Sequence, residues 1–134
     1  NSGVAGHVEL VGAQPHEKIP EYMSAADLLV LPSWYEGNAR VLAEAALTGL
    51  PAVATDVSGA RDTVIHGETG WVVSPGDPEA LAEGVLRLLR DDGLRREMGA
   101  RGRAHVAALS EEERLLDRFQ AMCEETVKRW RGAR

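Results

Sequence analysis

Short apolar runs separated by polar turns divide the chain into alternating strands and helices. The predicted strands are Val8–Val11, Leu28–Leu31, Ala52–Asp56 and Trp71–Val73. Between them, helices are predicted from Glu17 to Ala26, from near Asn38 to Leu47, and through Asp62 to Ile65. Because parallel strands need a crossover helix between them, this alternation predicts an α/β fold with a Rossmann-like, doubly wound parallel sheet of about four strands.

The second half of the chain is predicted to be helical. Asp77-Pro78 is a favourable helix start, with Asp as N-cap and Pro in the first turn. The buried stripe of that helix is predicted to contain Leu81, Val85, Leu88 and Leu89. Residues 94–109 follow as a charged helical segment with weak points at Gly99 and Gly102, and Ser110-x-x-Glu113 is a capping box for a last helix through Val127.

Two carboxylates, Glu36 and Glu44, lie eight positions apart between the second and third predicted strands. On one helix they would be about 12 Å apart along the axis, too far to hold one small group together. Gly37 and Asn38 suit the turn that starts a helix, so Glu36 is predicted in the loop and Glu44 in the second turn. The N–H groups of Asn38 to Val41 would then be unpaired at a positive helix end that suits a phosphate. Carboxylates on either side of such a site suggest a ligand with both hydroxyls and phosphates.

Composition narrows the function classes. The 134 residues carry a net charge of −6, which argues against a nucleic-acid-binding surface. The only cysteine is Cys123, and no Cys/His cluster has metal-ligand spacing, so we expect a reducing, cytoplasmic setting and no metal. There is no apolar run long enough to span a membrane and no recognisable leader.

The chain resembles the carboxyl-terminal half of a retaining glycosyltransferase of GT-B architecture, of the glycosyl transferases group 1, or glycosyltransferase family 4. The resemblance covers nearly all of the chain and depends on an ordered set of motifs around the E-x7-E pair. These are Ala26-Asp27, Pro32-Ser33, Glu36, Glu44-Ala45, Gly49-x-Pro51-x-Val53, Gly67-x-Thr69-Gly70, Val73 and Pro75.

The resemblance implies transfer of a sugar from a nucleotide-diphosphate sugar donor to an acceptor, with retained configuration and without a metal or other cofactor. Residues 1–134 would be the donor-binding domain. Glu36, as the catalytic residue, would contact hydroxyls of the donor sugar, and Glu44 would bind the ribose. The backbone of Gly37, Asn38, Ala39, Arg40 and Val41 would hold the diphosphate and sugar, and the loop Gly12, Ala13, Gln14 would lie near the base.

The chain departs from the family pattern in two places. The family usually has Gly-Gly and then Glu in the loop after the third strand, where this chain has Ser58-Gly59 and Asp62. Where many relatives have an aromatic or aliphatic residue after Gly37, this chain has Asn38, with Arg40 two positions on. Arg40 either adds a cation to the phosphate site or faces solvent. Both readings are open at this stage.

The resemblance also implies an amino-terminal acceptor-binding domain ahead of Asn1. We therefore expect this chain to be part of a two-domain enzyme and to be inactive alone, and we expect an open sheet edge to favour association between copies. The alternative functions are a catalytically silent nucleotide or nucleotide-sugar binding module and a receiver-type interaction domain. The receiver type predicts clustered acids at the ends of strands near the start together with a late Lys, and this chain lacks that combination.

Overall fold

The computed structural model describes residues 3–110, which form a three-stranded parallel sheet covered by helices. Its strands, in spatial order, are β1 (Leu29–Leu31), β2 (Ala52–Thr55) and β3 (Gly70–Val73). Its α-helices are α1 (Ile19–Ala25), α2 (Arg40–Leu47), α3 (Ala60–Thr63), α4 (Pro78–Arg90) and α5, which begins at residue 92 and is still helical at residue 110. Short 3-10 turns span Ala5–His7 and His16–Lys18. The predicted α/β class and parallel sheet are confirmed.

Strand β2 is the buried centre of the sheet. Ala52 lies opposite Leu29 of β1 and Gly70 of β3, and all four β2 residues are buried. Ala52 and Ala54 pack with residues of α2, whereas Val53 packs with Leu88 of α4. Because successive side chains of a strand point to opposite faces, α2 and α4 cover opposite faces of the sheet.

The predicted strand Val8–Val11 is wrong. These residues have no regular secondary structure, and Leu10 is 93% exposed. A strand requires a neighbour to receive its hydrogen bonds, and within residues 3–110 none of the three strands pairs with this segment. Alternating apolar residues alone do not provide that neighbour.

The start of α4 and most of its buried stripe are confirmed. Asp77 caps the helix by accepting a hydrogen bond from the Ala80 N–H at 2.9 Å. Leu88 is fully buried, and Leu81 and Val85 pack beside it in the same cluster. Leu89 is 48% exposed, so its predicted burial is wrong. Adjacent helical residues are about 100° apart around the axis, and Leu88 already occupies the inward direction.

The two glycines of α5 are positions of close packing, and the predicted weak points are absent. The helix continues through both residues, and both are buried. A Cβ atom on Gly99 would collide with the carbonyl oxygen of Gly49, which follows the end of α2. A Cβ on Gly102 would be 3.6 Å from Cβ of Thr69, an ordinary van der Waals distance. Gly99 therefore allows α5 to approach the Gly49 turn.

Arg95 joins α5 to the amino-terminal end of the sheet. Its guanidinium donates to the Leu88 carbonyl at 2.8 Å and lies 3.2 Å from the Asp27 carboxylate and 2.7 Å from that of Asp92. The side chain is largely buried, so these partners replace water around the guanidinium. Asp27 of the Ala26-Asp27 pair thus contacts Arg95 at the amino-terminal end of the sheet, opposite the carboxyl ends of the strands.

The last predicted helix falls mostly outside the described residues. Ser110 is itself helical and continuous with α5, so it does not start a new helix. The remainder of that predicted helix, from Glu113 to Val127, lies beyond the described range, as does Cys123. None of the helices between residues 3 and 110 has the length and apolar character needed to cross a membrane.

An ion pair fixes the loop that follows β2. Arg61 Nε donates to Asp56 Oδ1 at 2.8 Å, and its Nη2 donates to Oδ2 at 2.7 Å. The hydrogen bonds from Arg61 hold the pKa of the Asp56 carboxyl below its ordinary value, and the same bonds raise the pKa of Arg61. The loop between them contains Gly59 in the left-handed conformation, with φ of 79°.

The glycines of α5 provide a matched pair of substitutions. We expect Gly99→Ala to lower the free energy of unfolding by about 1–3 kcal/mol, because the added methyl group must displace the Gly49 backbone. Gly102→Ala has room for the methyl group, and its better helix propensity should raise stability by up to about 1 kcal/mol. Urea unfolding of the two variants measures both effects. Equal stability of the two would contradict the packing described for Gly99.

The Asp56–Arg61 pair predicts a pH dependence with a defined sign. The folded-state pKa of Asp56 lies below its unfolded value of about 3.9, so the pair stabilises the fold above that pH. The contribution is lost as the pH falls through the folded-state pKa. A carboxyl NMR titration should show Asp56 titrating low, and Arg61→Ala should return it to the usual range. Arg101→Ala, which removes another exposed ion-paired arginine, should leave the Asp56 pKa unchanged.

Candidate functional site

The loops that leave the carboxyl ends of the three strands lie at one edge of the sheet. This follows from the parallel pairing of β1 with β2 and of β2 with β3. Residues 32–39 leave β1, residues 56–59 leave β2, and residues 74–77 leave β3. Open α/β sheets bind ligands at this edge, so the loop that contains Glu36 has the expected position.

Glu36 is in the loop, as predicted, and its carboxylate is held by a neighbour. The Ser33 hydroxyl donates to Glu36 Oε1 at 2.7 Å, and both side chains are partly buried. Gly37 follows, and open space surrounds the position that a Cβ would occupy there. The absence of a side chain on Gly37 leaves the adjacent backbone accessible to a ligand.

The amino-terminal end of α2 has no side-chain cap. The helix begins at Arg40, with Ala39 at the N-cap position, about two residues later than predicted. Within residues 3–110, the N–H groups of Asn38, Ala39 and Val41 have no hydrogen-bond acceptor. The prediction is wrong for Arg40, because its N–H donates to the Asn38 carbonyl at 2.8 Å in a tight turn at Ala39. Three free N–H groups thus stand at the positive end of the helix dipole.

The loop after β2 approaches this helix end closely. A Cβ placed on Gly59 would lie 3.7 Å from the Ala39 nitrogen and 3.8 Å from Oδ1 of Asn38. The two segments form the walls of a cleft of about 490 Å³, which the end of α5 closes. The cleft is lined by Asn38, Ala39, Arg40, Ala43, Gly59, Asp62, Thr63, Val106, Leu109 and Ser110.

The contribution of Gly59 and Asp62 to this cleft was not predicted from the sequence. The departure from the family pattern at Ser58-Gly59 and Asp62 was the available signal, but the sequence alone did not connect these residues with the start of α2. The structure brings these residues against the start of α2. The carboxyl-terminal end of α5 is attached to the same place, because His105 Nε2 donates to the Asp62 carbonyl at 2.8 Å.

Glu44 lies in the second turn of α2, as predicted, and its side chain is partly buried. Within the described residues, its carboxylate and the guanidinium of Arg40 have neither a hydrogen bond nor an ion pair. Both groups are therefore available to a ligand. Across residues 3–110, no three His, Cys, Asp or Glu side chains converge on a point that could hold a metal ion.

The loop Gly12, Ala13, Gln14 precedes α1 and is largely exposed. Gln14 Nε2 donates to the Val11 carbonyl at 2.6 Å, and Gly12 has a left-handed φ of 64°. In the described part of the chain, no hydrogen bond joins this loop to residues 32–47. Its predicted place beside the nucleotide base stays a prediction.

A wider surface depression of about 800 Å³ lies along the exposed side of α4, between Glu79 and Leu94. This depression is on the helix that covers the opposite face of the sheet from α2. It contains neither a free helix end nor any of the predicted site residues, so the smaller cleft at α2 is the better candidate.

Comparison with known proteins identifies the family. Residues 1–105 match the family described as glycosyl transferases group 1. The N-acetyl-alpha-D-glucosaminyl L-malate synthase of Bacillus anthracis is 30% identical over 122 residues, which are 91% of this chain and 32% of that protein. The D-inositol 3-phosphate glycosyltransferase of Corynebacterium diphtheriae is 36% identical over 78% of this chain and 25% of that protein.

Solved structures agree with this assignment. Sucrose-phosphate synthase from Thermosynechococcus elongatus superposes with a TM-score of 0.77 at 36% identity, over 89% of this chain and 32% of that one. Anabaena HepE in complex with UDP superposes with a TM-score of 0.78 at 26% identity, over 89% of this chain and 34% of that one.

The chain thus spans between a quarter and about a third of the length of these relatives. Its parallel α/β fold is that of GT-B glycosyltransferases, as the sequence resemblance implied. The family match covers most of the chain and includes both glutamates of the E-x7-E pair. This chain belongs to the glycosyl transferases group 1 family.

Proposed function

We propose that this chain is the donor-binding part of a retaining, metal-independent glycosyltransferase that uses a nucleotide-diphosphate sugar. The main support is the combination of Glu36 with the uncapped end of α2 in one loop at the carboxyl edge of the sheet. The site thus combines hydrogen-bond acceptors for hydroxyls with donors for phosphate. A nucleotide-diphosphate sugar carries both groups.

The diphosphate is assigned to the start of α2. The N–H groups of Asn38, Ala39 and Val41 provide hydrogen-bond donors, and the helix dipole favours negative charge at this position. Charge increases on the diphosphate as it leaves the sugar, so donors that are already oriented stabilise the transition state. In other reactions with a phosphate leaving group, a metal ion stabilises this charge. Here the N–H groups take that role, which is the basis for proposing a metal-independent reaction.

The two glutamates are assigned to the two hydroxyl-bearing parts of the donor. Glu36 contacts sugar hydroxyls and stabilises positive character at the anomeric carbon, and Glu44 contacts the ribose. Ionised carboxylates only accept hydrogen bonds, so hydroxyls are their natural partners in this ligand. Anabaena HepE, which shares this fold, has been solved with UDP-glucose. That complex supports a nucleotide-sugar as the ligand class here.

Arg40 is assigned to the phosphate. It is the first residue of α2, it lines the cleft, and its side chain is exposed. No acidic partner neutralises it within residues 3–110. A cation at this point adds to the positive potential of the helix end.

Calorimetry separates the roles of the two glutamates. In the complete protein that carries this chain, Glu36→Ala should weaken binding of UDP-glucose by about tenfold and leave UDP binding unchanged, because UDP lacks the sugar. Glu44→Ala should weaken both ligands to a similar extent, because both contain the ribose. Glu83→Ala, an exposed glutamate of α4, serves as the control and should change neither.

The same titrations with GDP-glucose and ADP-glucose identify the base. Binding of a nucleotide-sugar without any sugar transfer to acceptors would favour the silent binding module. No binding of the three nucleotide-sugars would contradict the proposed function.

Arg40→Ala should weaken binding of both UDP and UDP-glucose by about five- to tenfold. The difference in affinity between variant and wild type should be smaller at high salt, where the charge of Arg40 is screened. Arg40→Lys should restore part of the affinity, because a charge is retained without the planar fork. Isothermal titrations at low and high salt measure the effect. Unchanged affinity for both ligands would show that Arg40 faces solvent without contacting the donor.

A further inference from the structure

A line of hydrogen bonds connects the buried centre of the sheet to the Glu36 carboxylate. Thr55 is the last residue of β2, and it is only 4% exposed. Its hydroxyl lies 2.6 Å from the Ser33 carbonyl and 3.2 Å from that of Leu31. The Ser33 hydroxyl in turn donates to Glu36 Oε1 at 2.7 Å.

Thr55 acts at the point where β1 leaves the sheet. The pairing of β1 with β2 ends at Leu31 opposite Ala54, so no further backbone bond holds the chain beyond that pair. The Thr55 hydroxyl replaces this bond and fixes the carbonyl of Ser33. The backbone of Thr55 is held from the other side through its pairing with Val73 of β3. The Ser33 backbone is thus attached to the most constrained strand.

The Ser33 hydroxyl controls the orientation of the carboxylate. A serine hydroxyl has one hydrogen, and here it is given to one carboxylate oxygen. This is a charge-assisted bond, which restricts the rotamers of Glu36. The second oxygen and the remaining lone pair stay available as acceptors. A ligand that offers hydroxyl groups can therefore bind without breaking the internal bond.

We infer that Ser33 is a positioning residue, held in place by Thr55, that orients Glu36 toward the sugar of the donor. This inference rests on the proposed function, because it assumes that Glu36 binds the sugar. It predicts a specific loss: without the Ser33 hydroxyl, the sugar-dependent part of the affinity falls and the nucleotide-dependent part is kept. A purely structural role would have a different effect. The loop that contains Ser33 leads into the amino-terminal end of α2, so disorder of this loop would weaken UDP binding as well.

The test uses four single variants in the complete protein. Ser33→Ala removes the hydroxyl, and Ser33→Thr keeps one. Thr55→Val removes the buried hydroxyl at nearly constant shape, and Thr55→Ser keeps it. The probe is whichever of UDP-, GDP- and ADP-glucose binds the wild-type protein most tightly, together with its nucleotide diphosphate alone.

We expect Ser33→Ala to weaken the nucleotide-sugar by about tenfold and the nucleotide diphosphate by less than about twofold. Thr55→Val should show the same pattern, with a larger loss of affinity for the nucleotide-sugar than for the nucleotide diphosphate. The conservative variants Ser33→Thr and Thr55→Ser should remain within about threefold of wild type. The double variant Ser33→Ala/Glu36→Ala should bind no more weakly than Glu36→Ala alone, because Ser33 acts through Glu36.

The outcomes distinguish this inference from the proposed function. If Glu36→Ala has no effect, or if none of the three nucleotide-sugars binds, the proposed function fails and the inference with it. If Glu36→Ala weakens the nucleotide-sugar and Ser33→Ala does not, only the inference fails. Equal weakening of sugar-containing and sugar-free ligands by Ser33→Ala would also overturn it. If Thr55→Val does not fold, Ser33→Ala and Ser33→Thr still decide the result.

Discussion

The parallel pairing of β2 between β1 and β3 is the constraint on which the rest of the structure depends. Both edges of β2 are hydrogen-bonded to neighbours, and both of its faces are covered. A strand fixed in this way has little freedom to translate or twist. The residues at its carboxyl end, Thr55 and Asp56, therefore start from a defined position. Thr55 holds the loop after β1, and Asp56 is paired with Arg61 across the loop that contains Gly59. Both walls of the cleft are thus set by one strand.

The second constraint is the close approach of α5 to the Gly49 turn. Gly99 allows this contact, and Met98 beside it joins the core cluster of Val53 and Leu88. Farther along the helix, His105 bonds to the Asp62 carbonyl, and Val106 lines the cleft. A helix that is fixed near its middle by steric contact also has a fixed direction. Packing at Gly99 therefore affects the shape of a cleft that lies at the other end of α2.

Sequence reasoning predicted the features that depend on local chemistry. The Asp77 cap, the loop position of Glu36 and the place of Glu44 in α2 follow from residues within a few positions of one another, and the structure confirms them. The errors concern features that depend on distant partners. The segment Val8–Val11 alternates as a strand does but has no neighbour within the described residues.

The glycines of α5 illustrate the same limit. Gly99 was predicted to be a weak point of the helix because glycine has poor helix propensity. Its role in the structure is to allow close contact with Gly49, which lies far away in the sequence. The bond from Thr55 to Ser33 also joins two segments that are distant in the sequence. Periodicity and capping rules describe neighbours along the chain and contain no term for such contacts.

The acidic composition of the chain does not conflict with an anionic ligand. The net charge of −6 is spread over the whole chain, and at physiological salt, charges farther apart than about 8 Å are largely screened. What a bound diphosphate experiences is the nearby arrangement: free N–H groups at the start of α2, and Arg40 without an acidic partner in the described residues. Glu36 and Glu44 would repel a phosphate placed beside either of them. In the proposed complex, this repulsion requires the phosphates to lie at the helix end and the hydroxyl-bearing groups to lie at the carboxylates. The two acids then determine the orientation of the donor as well as its affinity.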